Sequence, residues 1–167
     1  NYLEEVGGNI YNSLKSIGYK SIKIYENLAN ANLRFALGIL LSSYKFSNYK
    51  KIVSKNNDML NKVTFVCKGA KEVSNKFQEM LQIAKGVFTA RDLVWQPANI
   101  LYPDSFAQQC KKLNKIGVKV TVINEANLKK LGMDALLAVG RGSRKSSKVV
   151  IMEWLGGKSN APLMSFI

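Results

Sequence analysis

The 167-residue sequence predicts an α/β protein, and three observations carry that prediction. Segments with apolar residues every three or four positions alternate with short β-branched runs, the mixed signature of helices and strands. Apolar residues make up 47% of the chain, enough to bury a core. A stretch bracketed by prolines, RDLVWQPANILYPDSFA at 91–107, marks a rigid turn between the two halves. Alternation of this kind builds sheets covered by helices.

The elements follow in order. Leu3, Val6, Ile10, Leu14 and Ile17 place a helix over 2–17, stopped by Gly18. SIKIYE at 21–26 alternates Ile22 and Ile24 with polar residues, as a strand does. A second helix is expected over 30–43, with Leu33, Leu37 and Leu40 or Leu41 on one face. Residues 50–61 are polar, contain Asn56-Asn57-Asp58 and read as a loop. KVTFVC, 62–67, is a second strand. The longest helix, over about 70–94, sets Val73, Phe77, Met80, Leu81, Ala84, Val87 and Phe88 at a 3.6 period. Pro97 ends it, and Pro103 with Asp104 opens the next, where a proline is tolerated and an acid complements the positive helix end. Phe106, Cys110 and Leu113 carry that helix to about 116. A strand follows at 118–123 and a helix at 124–132, with Asn124 as N-cap and Gly132 at its end. A short apolar helix spans 133–139, a β-branched strand 147–155, and PLMSFI, 162–167, begins another strand.

Composition excludes several functions. Histidine is absent, which removes Ser-His-Asp and Cys-His catalysis and every His-ligated metal site. Two cysteines, Cys67 and Cys110, read as reduced structural thiols and cannot hold zinc between them. No apolar run reaches the roughly 18 residues that span a bilayer, and no secretory leader is expected from the acidic opening residues. Lys and Arg number 25 against 11 acids, a net charge of +14 that favours polyanions. Arg141, Arg144, Lys145 and Lys148 crowd one acid-free stretch beside the GRGS turn at 140–143. Such a turn either closes a loop or cradles an anion with its N–H groups. Lys45, Lys50, Lys51 and Lys55 form a second run, interleaved with Tyr44, Phe46 and Tyr49, which suits either base stacking or packing. The acids are scattered: Glu4 and Glu5 diverge on a helix, Asp92 pairs locally or caps, and Asp134 is a first-turn acid.

The 91–107 stretch resembles the entry to the catalytic domain of the cytosolic leucyl aminopeptidase family. The family pattern there is R-D-L-x-N-x-P-x-N-x-x-x-P, matched by Arg91, Asp92, Leu93, Pro97, Asn99 and Pro103. Residues 117–143 are similar to the family's strand, helix and G-M-x-x-L-L-x-V-x-x-G-S segment. VVIMEWLGG resembles its next strand, and Tyr44, Phe46, Tyr49 and Lys50 match L-x-x-Y-x-F-x-x-Y-K. Trp95 and Gln96 depart from the family's Asn and Glu; if that Asn ties the loop by hydrogen bonds, Trp95 is expected to hold it by packing instead.

The resemblance implies a fold and an organisation. Residues 1–68 would belong to an incomplete N-terminal α/β/α domain, 69–102 to a linker helix and its proline-bracketed join, and 103–167 to the start of an α/β/α catalytic domain. It implies removal of N-terminal residues from peptides by two divalent metals, manganese or zinc, in a cytoplasmic hexamer with no membrane. The family's metal ligands are expected beyond Ile167, so no catalytic, cofactor-binding or metal-ligating residue is assigned, and residues 1–167 alone are expected to be inactive. The alternative reading is a nucleic-acid-binding module acting through the basic surface.

Overall fold

Residues 2–25, 31–49, 60–158 and 160–166 are described by a computed structural model. The first two helices owe their packing to glycine. α1 (Tyr2–Ile17) buries Gly7, Gly8 and Tyr11 against α2 (Ala31–Ser42). A Cβ on Gly38 would lie 2.0 Å from the Glu4 carbonyl oxygen, and one on Gly7 2.2 Å from that of Phe35. The two backbones are therefore in direct contact, a spacing that only glycine permits. The buried stripe of α1 differs from the one the apolar spacing predicts. Ile10 and Ile17 lie exposed, and the glycines with Tyr11 take the inner face. Close backbone approach outweighs side-chain hydrophobicity there.

β1 (Ser21–Tyr25) and β2 (Lys62–Val66) pair in parallel, with Ile22 opposite Val63 and Ile24 opposite Phe65. Tyr11, Ile39 and Leu60 form a core on which Ile22, Ile24, Phe35, Val63 and Phe65 pack. Phe35 and Phe65 meet edge to face at 6.1 Å, a favoured aromatic geometry. α3 (Ala70–Val94) packs on α2 and buries Ala84 completely. Most of the loop expected at 50–61 lies outside the described residues, as does Glu26 at the end of the first predicted strand. The first compact unit runs Asn1–Trp95 and the second Gln96–Ile167.

The second unit opens with α4 (Pro103–Lys111) and runs through a 3-10 turn, Lys112–Ile116, into β3 (Lys119–Asn124). α5 (Glu125–Lys130), α6 (Asp134–Gly140) and β4 (Lys148–Glu153) complete it. Asn124 caps α5 as expected, its side chain accepting from the Asn127 N–H at 3.0 Å. β3 and β4 run antiparallel, and Lys119 faces Glu153 in register with an ion pair at 2.9 Å. Leu128 is fully buried in this unit. Ala107 and Cys110, rather than Phe106, form the inner face of α4.

The strand expected at 162–167 is not formed over residues 162–166, and Leu163, Met164 and Phe166 stand exposed. Among the described residues no strand pairs with them, and a lone extended segment has no ladder to hold it. Among those residues also, no helix is long and apolar enough to cross a membrane.

Candidate functional site

The C-terminal end of α3 is pinned by residues from the middle of its unit. The Arg91 guanidinium donates to the Leu41 carbonyl at 2.6 Å and lies over the Tyr44 ring, 5.4 Å from its centre. The Tyr44 hydroxyl donates to Asp92 Oδ1 at 2.8 Å. Asp92 thus takes a partner 48 residues away, not the local one its neighbour Arg91 suggests. Desolvation first, and then the Asp92 carboxylate, push the Tyr44 hydroxyl above its ordinary pKa. A phenol that holds its proton more firmly serves as a clamp rather than as an acid.

The aromatic residues interleaved with lysine pack on one another. Tyr44 meets Phe88 at 5.3 Å, Phe46 meets Tyr49 at 5.7 Å, and Phe46 stacks on Trp95 at 6.2 Å with planes 21° apart. Trp95 therefore fixes its stretch by ring contact, as its apolar side chain leads one to expect. Tyr44 and Phe46, half-buried and engaged in this way, offer little free face for stacking bases, whereas Tyr49 and Trp95 remain exposed.

A cavity of about 420 Å³ lies inside the first unit, lined by Leu33, Ile39, Leu60, Phe65, Phe77 and Cys67 among others. Its walls are mainly apolar, so it carries shape and little chemistry. Nothing in the sequence pattern signals it, because its lining comes from four separate elements.

The acid-free run of the second unit divides into engaged and free cations. Lys148, its side chain only 17% exposed, pairs with Asp104 at 2.8 Å. The Lys145 ammonium sits 4.1 Å from the centre of the Tyr102 ring. Among the described residues, Arg141 and Arg144 make no ion pair and no side-chain hydrogen bond. Both line a polar cavity of about 330 Å³ with Lys145, Ser143, Ser146 and Ser147. Glu125 is the acid on that wall, and its carboxylate faces Lys129 at 4.0 Å.

The remaining acids are spoken for or dispersed. Glu4 pairs with Arg34 at 2.7 Å, and Asp134 stands in the first turn of α6. Among the described residues no three His, Cys, Asp or Glu side chains gather in a way that suits a metal ion. These residues do not fit a pair of divalent metals, and no hydrolytic step is derived from them.

Comparison with known proteins gives this arrangement a context. The fold is that of the solved structures it matches. A tomato leucine aminopeptidase mutant shares it at a TM-score of 0.73 and 21% identity, covering 89% of this chain and 32% of that one. The bottromycin maturation enzyme BotP, solved in complex with Mn, shares it at 0.69 and 23%, covering 90% and 33%. Residues 88–167 match the family model described as the cytosol aminopeptidase family, catalytic domain. A probable cytosol aminopeptidase of Chelativorans sp. is 37% identical over 98% of this chain and 34% of its own length. That of Phytoplasma australiense is 39% identical over 85% and 29%, and that of Brucella ovis 43% over 79% and 27%. The chain belongs to the cytosol aminopeptidase family. It spans about a third of the length of the curated relatives it matches.

Proposed function

We propose that these residues are the N-terminal part of a metal-dependent aminopeptidase that removes N-terminal residues from peptides in the cytoplasm. Residues 1–68 belong to its N-terminal domain, 69–102 to the helix and join that lead out of it, and 103–167 to the opening of its catalytic domain. The observation that carries this reading is the 37% identity to a probable cytosol aminopeptidase along 98% of the chain. The divalent metals, manganese or zinc, are held by side chains outside residues 1–167. The manganese bound by BotP, a protein of the same fold, supports the metal class. The working assembly is a homo-hexamer, and residues 1–167 contribute framework rather than chemistry. Nucleic-acid binding through the basic surface is the weaker reading, since Tyr44 and Phe46 pack on neighbouring rings.

Two measurements test this. The natural protein is first sized in its source with an antibody raised to residues 1–167. A product of roughly three times the 18.6 kDa of this sequence is expected from the share of its relatives that it spans. The purified natural protein, loaded with manganese, should then release nitroaniline from leucine p-nitroanilide. Failure to do so with either manganese or zinc would overturn the proposal. Turnover by residues 1–167 alone would overturn the clause that places the ligands elsewhere.

A further inference from the structure

We propose that the loop at 140–147 is a binding site for a small phosphate-class dianion. The loop is closed at its neck. A Cβ on Gly140 would lie 2.0 Å from Ser147 Oγ, so the two ends touch. Its interior is shaped by its own backbone. The Ser143 N–H donates to the Gly140 carbonyl at 3.0 Å, and Ser143 Oγ accepts the Lys145 N–H at 3.0 Å. A loop already held in shape loses little freedom when a ligand arrives.

The charge on the cavity wall sets the ligand class. Arg141, Arg144 and Lys145 share the wall with one carboxylate, Glu125, which also approaches Lys129, so at least two positive charges are left to be matched. Lys145 is steadied by the Tyr102 ring, and Lys148 is withdrawn by Asp104. The two guanidinium groups without partners are therefore the ones available to an incoming anion. A planar guanidinium grips two phosphate oxygens at once, where an ammonium offers only a point charge. The hydroxyls of Ser146 and Ser147 on the same wall supply further donors.

Size narrows the class further. About 330 Å³ stands at the lower end of small-molecule sites and admits a phosphate with a small attached group. It is too small to enclose a folded segment or an oligonucleotide. The polar wall also disfavours an apolar ligand. Free phosphate and a small phosphomonoester share this chemistry.

The test uses the full chain at constant ionic strength. Inorganic phosphate is titrated by calorimetry, and amide shifts are followed by NMR. One saturable site is expected, with shifts centred on residues 140–147. R141Q/R144Q should weaken it at least tenfold while the thermal melt stays unchanged, because both side chains are exposed and unpartnered. K111Q/K112Q removes the same charge from exposed positions at the C-terminal end of α4 and should leave the affinity within twofold. Glycerol phosphate binding tighter than phosphate would assign the site to a phosphomonoester; the reverse order would assign it to free phosphate. Absence of saturation, or equal loss in the two double variants, overturns the proposal. So does a single-stranded oligonucleotide that displaces phosphate with equal dependence on both pairs of residues.

Discussion

Gly38 to Ala is the substitution in which local and tertiary effects oppose each other most directly. In an isolated helix the change would stabilise by about 1 kcal/mol, because alanine loses less backbone freedom on folding. At Gly38 the new Cβ would stand 2.0 Å from the Glu4 carbonyl oxygen, whereas ordinary contact begins at 3.4 Å. A gap of 1.4 Å must open between α1 and α2, and the atoms in the way are backbone, which cannot rotate aside. Overpacking costs about 1–3 kcal/mol, and a backbone obstacle argues for the upper end. The net expectation is a loss of about 2 kcal/mol, which for a unit of this size lowers Tm by roughly 10 °C. Gly86, in the middle of α3, supplies the control, since its Cβ would meet nothing within 4 Å. G86A should stabilise by about 1 kcal/mol. Urea unfolding followed by Trp95 fluorescence, in a W154F background, isolates the first unit. G38A as stable as the parent would refute the claim that the α1–α2 spacing is set by backbone contact.

The other expectations concern the second unit and the thiols. Leu128 is fully buried, so L128A should cost about 2–5 kcal/mol, read from Trp154 fluorescence in a W95F background; a loss below about 1 kcal/mol would contradict its role as that unit's core. N124A removes the acceptor of the Asn127 N–H and should cost about 1 kcal/mol, whereas N124S should recover most of it. Iodoacetamide should alkylate Cys67, half-buried, well before Cys110, which is buried and whose thiol is pushed above its ordinary pKa by desolvation. Because that pKa is raised on folding, its contribution to stability is complete below about pH 8.5 and is lost as pH climbs through the folded value. A C110A variant should therefore show a flatter stability profile above that pH than the parent.

Much of the fold was legible because it rests on local rules. The helix of 70–94, the cap at Asn124, the proline opening of α4 and the strands at 62–66 and 119–124 follow from periodicity, turn chemistry and capping, which act within a few residues. Misreadings occurred where a distant segment decides. Ile10 and Ile17 have the spacing of a buried face, yet glycines displaced them from it. Asp92 lies next to Arg91 in sequence and bonds to Tyr44 in space. PLMSFI has the composition of a strand and, among the described residues, no neighbour to pair with. The cationic loop was visible as a run of charge, but a run does not reveal which cations are engaged.

The sequence by itself determined the α/β class, the order of the elements and the family, because each rests on patterns that neighbouring residues carry in their own side chains. Only the tertiary structure decided which face of α1 is buried, which residue Asp92 holds, and that Lys148 is neutralised while Arg141 and Arg144 are not. The physical reason is common to all three. Backbone approach, hydrogen bonding and ion pairing act over a few ångströms, and folding brings within that range residues that the chain keeps 30 to 48 positions apart.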